Sequence, residues 1–324
     1  MHIESLVNKG LFEILPKILE SKYENIFEQG AWAVGNISAE DAYLKGLLLE
    51  KKGILEALDA KIRTTNNDHI LAHTTWALCN LMSGSDGGSK LQNKRKPIGL
   101  LALFHVMKHH QELDLLQGVL GAIADNLDVD QIGSFLHFGL VSRLFELGKH
   151  KYKQILHPVL RIAAMITNGT DSQTGSLIEF GGIDFIFQVL TDPTTDNYCK
   201  TKSLWIISNV VVGPFEHRDY VFRRPEWVDV LFNYAKQGHQ SVGAMSDTGK
   251  TRSYIRFVQF DQRSSSKSCK IPGGERIPGV AEDLDAGTCK RLKVPDRGDI
   301  RHFRDVADGT HSTGRCSQFL PSPP

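Results

Sequence analysis

The chain has 324 residues and a formal net charge of +1 at pH 7, which predicts neither a nucleic-acid partner nor a membrane partner. Its five cysteines are widely spaced and include no C-x-x-C pair, so the sequence predicts reduced thiols rather than a disulfide framework or a zinc site. Neither a signal peptide nor an apolar stretch of about 18 residues is found, and we expect a protein of the cytoplasm and nucleus.

Glycine-led amphipathic segments recur along the first two thirds of the chain. Each has apolar residues at helical spacing after the glycine, and the segments begin at Gly10, Gly53, Gly99, Gly139 and Gly182. Their starts lie 43, 46, 40 and 43 residues apart. Glycine suits a sharp turn between two helices, because it adopts a positive φ without steric cost. The pattern therefore predicts a turn at each glycine and a helix after it.

A second series carries Trp-x-x-x-Asn, a spacing that places both side chains on one face of a helix, one turn apart. Three segments carry the pattern and two aligned segments carry it in altered form: Trp32/Asn36, Trp76/Asn80, Ala122/Asn126, Arg161/Met165 and Trp205/Asn209. The steps of 44, 46, 39 and 44 residues match those of the glycine series. A shared period of this length is typical of armadillo or HEAT repeats.

A shorter helix that begins at or near an acidic residue is predicted in the rest of each repeat: Asp41–Glu50, Asp128–His137, Asp171–Phe180 and Glu216–Phe222. The sequence thus predicts an all-α fold, a right-handed superhelical armadillo-repeat solenoid of about five repeats, as one domain over residues 1–240. A last helix is expected at Pro225–Ala235, with Val228, Leu231 and Phe232 deprived of part of their packing partner.

Residues 241–324 differ in composition from the repeats. From residue 242 they hold nine Gly and six Pro, and Leu, Ile, Val and Phe make up 16 of 83 residues. That share lies below the ~20% at which a chain becomes too poor in apolar residues to form a core. We predict a disordered C-terminal tail. Within it, Lys290–Lys293 resembles a short nuclear localisation signal, although a solvated charge cluster is the preferred interpretation.

The sequence of several repeat segments resembles the armadillo repeats of importin alpha, the adaptor family that recognises classical nuclear localisation signals. The matching segments are Glu28–Ser38, Thr75–Leu81, Pro158–Arg161, Thr167–Asp171 and Leu204–Asn209. The resemblance covers roughly residues 1–235 and implies a non-enzymatic adaptor without a cofactor. Its expected partners are the basic nuclear localisation signal peptides of cargo proteins.

The resemblance also implies a groove for extended peptides. An Asn side chain both donates and accepts hydrogen bonds, so a ladder of them holds a peptide backbone without reading its sequence. Trp faces bind long aliphatic stems and attract Lys or Arg cations by about 0.5–2 kcal/mol. Acidic residues at the rim select the sign of the charge. The implied peptide-binding residues are Gln29, Trp32, Asn36, Glu40, Trp76, Asn80, Asn126, Asp171, Trp205 and Asn209.

The sequence departs from the family pattern at several positions. Ala122 and Val119 stand where the family tends to have an aromatic and an acid, Met165 replaces an Asn, and Lys202 stands where an acid is usual. We therefore expect weak signal binding, centred on the two N-terminal Trp/Asn pairs. The family's basic importin-beta-binding arm and its C-terminal export surface have no counterpart here, so the sequence gives no basis for predicting importin-beta binding.

Three alternatives stay open. In the first, the tryptophans are core residues and the asparagines are helix caps. In the second, the chain is an armadillo scaffold that has lost the cargo site and binds another partner; in the third, it is a non-functional truncated copy. Enzyme motifs are not met: the phosphate-loop-like stretch Gly243–Thr251 is one residue too long, and His109, His110 and the other histidines are judged to lack metal-ligand spacing.

Overall fold

The computed structural model describes residues 9–83, 90–150 and 152–236, together with residues 5 and 7. These ranges contain α-helices and no β-strand. The tail predicted at residues 241–324, with its Lys290–Lys293 cluster, lies outside the described residues. None of the helices in the described part of the chain is both long and apolar enough to cross a membrane.

The described helices are, in chain order, α1 Leu11–Leu19, α2 Glu24–Glu40, α3 Ala42–Glu50, α4 Ile54–Thr64, α5 Asp68–Met82, α6 Lys90–His109, α7 Leu113–Asn126, α8 Val129–His137, α9 Leu140–Gly148, α10 Lys153–Thr167, α11 Asp171–Glu179, α12 Gly182–Thr191, α13 Asn197–Val212, α14 Phe215–Phe222 and α15 Pro225–Lys236. The predicted all-α repeat pattern is confirmed. The Trp/Asn-type helices are α2, α5, α7, α10 and α13.

Glycine turns begin four of the helices, as the sequence predicts, but one is displaced by a residue. Gly10, Gly53 and Gly139 have φ angles of 89°, 97° and 69° and stand directly before α1, α4 and α9. Before α12 the left-handed residue is Gly181, with φ 73°, and Gly182 is the first helical residue. The sequence alone does not show which of the two adjacent glycines, Gly181 or Gly182, takes the positive φ.

The turn predicted at Gly99 is wrong, because α6 continues through it from Lys90 to His109. A Cβ added to Gly99 would lie 2.5 Å from the Sδ atom of Met82. This glycine therefore permits close packing of α6 against α5 rather than a change of chain direction. The basic segment 94–96 lies in the same helix, and its Arg95 is buried with Nη2 2.6 Å from Oε2 of Glu56.

The short helices start where their acidic residues predict. Asp41 accepts a hydrogen bond from the backbone N of Leu44 at 2.7 Å and caps α3. Asp128 caps α8 in the same way, with the backbone N of Asp130 at 2.9 Å. At α11 the cap is Thr170, one residue before Asp171, so the acid occupies the first turn. These caps satisfy amide groups that have no partner inside the helix.

The described residues divide in sequence into two compact units, one up to Phe180 and one from Gly181. In the first unit, α2, α5, α7 and α10 pack side by side in that order. Each of these four is packed by one further helix: α1 packs on α2, α4 on α5, α6 on α7 and α9 on α10. Side chains between the helices are fully buried, among them Phe27, Leu78, Leu120 and Leu160. The single domain over residues 1–240 stays a prediction.

A polar and aromatic cluster joins three helices of the second unit. Asp184 of α12 accepts a hydrogen bond from the Tyr220 hydroxyl at 2.5 Å and pairs with Nη1 of Arg224 at 2.5 Å. Trp227 of α15 stacks on Phe187, with ring centroids 4.0 Å apart and an angle of 9° between the planes. The Arg224 guanidinium lies over Trp227, 4.0 Å from the ring centroid. The cluster fixes α14 and α15 against α12.

The last helix departs from the prediction at Leu231, which is only 2% exposed. Val228 is half-buried, as expected for a residue short of a packing partner, and the side chain of Phe232 lies outside the described residues. The Tyr234 hydroxyl donates to the carbonyl of Leu190 at 2.9 Å and ties α15 to the end of α12. The sequence pattern does not reveal this, because the contacting residues are separated by about one repeat.

The pKa of Tyr220 is raised above 10.0 by burial and by its hydrogen bond to Asp184. A pKa that is higher in the folded chain adds stability that is complete below the unfolded pKa and is lost as pH rises through the folded pKa. We expect the difference in unfolding free energy between wild type and Tyr220→Phe to shrink above about pH 10, measured by urea unfolding. The exposed Tyr23→Phe is the control; a difference that stays constant with pH contradicts the cluster.

Candidate functional site

A stripe of four side chains runs along α2. Gln29, Trp32, Asn36 and Glu40 are spaced three, four and four residues apart, which places them on one face of the helix. Gln29 and Glu40 are exposed, and Trp32 and Asn36 are half-buried. Within the described ranges the side-chain amide of Asn36 makes no hydrogen bond. We call these four residues the α2 stripe. It presents an aromatic face, an unused amide and a carboxylate.

Trp76 of α5 is much less accessible than Trp32. Its side chain is 9% exposed, and it packs on Gly35 of α2. A Cβ added to Gly35 would lie 2.2 Å from Cζ3 of the indole, so only glycine permits this approach. Nε1 of Trp76 is buried and has no hydrogen-bond partner among the residues that the structure describes. The burial of Trp76 favours the alternative in which it is a core residue.

Asn80 and Asn126 connect successive Trp/Asn helices. Nδ2 of Asn80 donates to the Gly35 carbonyl of α2 at 3.3 Å. Nδ2 of Asn126 donates to the Met82 carbonyl of α5 and to the Ala122 carbonyl of its own helix, the latter at 2.8 Å. The two side chains are 5% and 4% exposed. Their amide groups therefore hold α2, α5 and α7 together.

Asn126→Ala is expected to lower the free energy of unfolding by about 1–3 kcal/mol, because the buried Met82 carbonyl loses a donor. Asn36→Ala removes the same amide from a half-buried position without a hydrogen bond in the described chain, so we expect a loss of at most about 0.5 kcal/mol. Guanidinium unfolding of the two full-length variants provides the comparison. Equal losses would contradict the different roles given to the two asparagines.

Arg161 occupies the Trp position of α10. Its Nη2 lies 2.9 Å from Oδ1 of Asp125 and 3.3 Å from the Ala124 carbonyl, both at the end of α7. The Arg161 side chain is 38% exposed and places a cation between the repeats. The sequence places Arg161 in register but does not indicate the ion pair with Asp125.

The remaining predicted residues lie elsewhere. Asp171 is half-buried at the start of α11, which packs on α8 and α10 rather than on the helices of Trp32 and Trp76. Trp205 and Asn209 are half-buried on α13 in the second unit, one turn apart on one helix face. Lys202 of the same helix lies over the Tyr198 ring, 5.6 Å from its centroid.

Curated proteins of known family resemble this chain over its repeats. Importin subunit alpha-1b of Oryza sativa subsp. japonica is 28% identical over 191 residues, which are 58% of this chain and 34% of that protein. Importin subunit alpha-8 of Arabidopsis thaliana is 26% identical over 206 residues, 63% of this chain and 45% of that protein. No protein-family model matches the chain.

Solved armadillo structures share the fold. A designed armadillo repeat protein aligns with a TM-score of 0.59 and 16% identity over 75% of this chain and 98% of that one. Another, solved in complex with the peptide (KR)4, aligns with a TM-score of 0.60 and 17% identity over 74% of this chain and 98% of that one. The chain is an armadillo-repeat protein similar to importin alpha subunits. The fold and the resemblance predicted from sequence are confirmed, and the chain spans about a third to under half of these curated relatives.

One group of side chains in this importin-alpha-like protein escapes the sequence prediction. The judgement that the histidines lack ligand spacing is wrong for His69 and His73, which lie four residues apart on α5. Both face Glu28 of α2, which is buried. The His-x-x-x-His spacing is a detectable signal, but the carboxylate comes from a helix about one repeat earlier.

Proposed function

We propose that the chain is an adaptor that binds extended Lys/Arg-rich peptides of the nuclear localisation signal type. The observation that carries this proposal is the α2 stripe, in which a half-buried Trp32 and an Asn36 without a hydrogen bond in the described chain stand side by side. An extended peptide offers a backbone N–H and a carbonyl to such an amide. The stem of a Lys or Arg side chain packs on the adjacent indole face.

Charge favours a basic ligand at this stripe. Glu40 is exposed one turn after Asn36, and Gln29 is exposed before Trp32. An exposed carboxylate two turns from an indole on the same helix face attracts a Lys or Arg and repels an acidic residue. The armadillo repeat protein solved in complex with (KR)4 shares its fold with this chain at 17% sequence identity. It supports the proposal through that shared fold alone.

Fewer residues contact the peptide in the proposed groove than the resemblance implies. Trp76, Asn80 and Asn126 are buried, and the two asparagines already donate to backbone carbonyls. We therefore assign them to the support of the groove and the α2 stripe to peptide contact. Trp205 and Asn209 form a second candidate pair on α13, where Lys202 weakens the attraction for a cationic ligand.

Because these relatives are importin alpha subunits, we propose that the chain acts in nuclear import and is present in the cytoplasm and the nucleus. Asp171 stays a proposed acidic contact for a second part of the ligand. Binding of importin beta is not part of the proposal. The burial of Trp76, Asn80 and Asn126 favours a second candidate, an armadillo scaffold that holds another partner through apolar contacts.

Fluorescence anisotropy of a labelled Lys-Lys-Lys-Arg-Lys peptide against the full chain tests the proposal. We expect saturable binding that weakens steeply from about 50 to about 300 mM salt, because exposed charges are screened over that range. The same peptide with glutamates in place of its basic residues is the matched control and should not bind. Absence of binding, or binding that ignores both salt and peptide charge, contradicts the adaptor and favours the scaffold.

A further inference from the structure

We propose that Glu28, His69 and His73 form a binding site for a divalent transition-metal ion, with zinc as the best-suited ion. The site joins α2 to α5 and is separate from the peptide contacts proposed above. Among the described residues, these three bring one carboxylate and two imidazoles to the same point. The ion would be held by one oxygen and two nitrogen atoms.

The three ligand atoms lie close enough together for one zinc ion to reach all of them after small side-chain movements. Nδ1 of His69 lies 2.7 Å from Oε1 of Glu28, and Nδ1 of His73 contacts the same oxygen. All three ligand atoms lie within 4.8 Å of one another. Zinc bonds of about 2.0–2.2 Å in a tetrahedron hold ligand atoms roughly 3.3–3.6 Å apart. Small side-chain movements that open the two contacts therefore make room for the ion.

Helix geometry keeps the two imidazoles in place. His69 and His73 are four residues apart on α5, so their side chains lie on one face, and their ring centroids are 4.4 Å apart. Glu28 projects from α2, the helix that packs against α5 through Trp76 and Gly35. The ligands are thus fixed by two packed helices rather than by loops, which favours a defined metal geometry.

Burial and charge also favour a cation. The side chains of Glu28 and His73 are 10% and 1% exposed, so a carboxylate is largely withdrawn from water between two imidazoles. A buried carboxylate needs a compensating charge or strong hydrogen bonds, and a dication supplies such a charge. Nε2 of His73 is buried without a hydrogen-bond partner in the described chain, so the ring is not held from its other side.

The ligand set determines the class of ion. Imidazole nitrogens suit zinc, copper and nickel, whereas calcium and magnesium prefer oxygen ligands alone. On binding, the metal takes the place of the Nδ1 protons, which leave to solvent. The His69 side chain is 55% exposed, so the ion enters from that side and a water molecule completes its coordination. The bound ion would link the two helices one turn before Trp32.

The test is a zinc titration of the full chain after a chelator has removed any bound metal. A chromophoric chelator competes with the protein for zinc, and its absorbance reports the zinc affinity of the protein. We expect His69→Gln and Glu28→Gln each to weaken the binding of one zinc ion by more than about tenfold, since loss even of a supporting residue costs at least that much. His69 is largely exposed, so its variant is expected to fold. Zinc bound elsewhere on the chain is common to wild type and variants and cancels in the comparison.

The matched control is His109→Gln. His105 and His109 have the same four-residue spacing on α6 with ring centroids 4.5 Å apart, but Nη1 of Arg63 lies 3.4 Å from His105 and repels a metal ion. We expect this variant to bind zinc like the wild type. Zinc should also raise the unfolding temperature of wild type but not of His69→Gln. Equal zinc affinity and stoichiometry in wild type, His69→Gln and Glu28→Gln would overturn the proposal.

Discussion

Replacing Trp32 with alanine is expected to weaken binding of a Lys/Arg-rich peptide by about 30-fold or more, which corresponds to about 2 kcal/mol for an aromatic residue at the centre of an interface. Trp32 is half-buried and stands one turn before Asn36, whose amide makes no hydrogen bond within the described residues, so it offers the indole face that a Lys or Arg stem needs. Anisotropy titration of the full-length variant with the labelled basic peptide measures the loss.

Trp205→Ala is the matched control, because Trp205 has the same half-buried position and the same partner spacing on α13. With Lys202 three residues away, we expect this variant to bind the peptide within about threefold of the wild type, less than 1 kcal/mol. Circular dichroism verifies that both variants are folded. An unchanged affinity in Trp32→Ala would exclude the α2 stripe as the peptide contact.

Replacing Trp76 with alanine should instead lower the free energy of unfolding by about 3–5 kcal/mol. The indole is 9% exposed and fills the space above Gly35 between α2 and α5, so its removal leaves a cavity in the helix interface. The converse change, Gly35→Ala, forces a Cβ to 2.2 Å from the ring and should cost about 1–3 kcal/mol through overpacking. Guanidinium unfolding of the full-length variants measures both.

The two alanine variants are thus expected to lose different properties: Trp32→Ala loses peptide affinity and Trp76→Ala loses folding stability. If Trp76→Ala keeps wild-type stability and loses only peptide affinity, Trp76 belongs to the groove, and its assignment as a core residue is wrong. The exposed Tyr43, 73% accessible, provides an aromatic-to-alanine control, and Tyr43→Ala should change the unfolding free energy by at most about 0.5 kcal/mol.

Much of the fold follows from local sequence. The recurring glycines, the apolar spacing after them and the acidic residues before the short helices predict the observed elements. Gly99 is the exception, because a glycine used for close packing looks the same in sequence as a glycine used for a turn. Only the presence of Met82 on another helix distinguishes the two.

The sequence predicts which residues of the candidate site share a helix face, but not how deeply each side chain is buried. The four-residue spacing places Trp32 with Asn36 and Trp76 with Asn80 on helix faces, as observed. How far each side chain is buried depends on the neighbouring repeat: Gly35 of α2 receives both the Trp76 ring and the Asn80 amide. The same dependence hides the Glu28, His69 and His73 group, whose members lie about one repeat apart.

Photo-crosslinking locates the bound peptide on the full chain. A Lys/Arg-rich peptide with a benzophenone group at its centre is irradiated with the protein, and mass spectrometry identifies the attached residues. We expect attachment to α2 around Trp32 and to the adjoining part of α5, with loss of the signal in Trp32→Ala. Attachment confined to other helices or to residues 237–324, with none on α2, would contradict a basic-peptide groove on the α2 stripe.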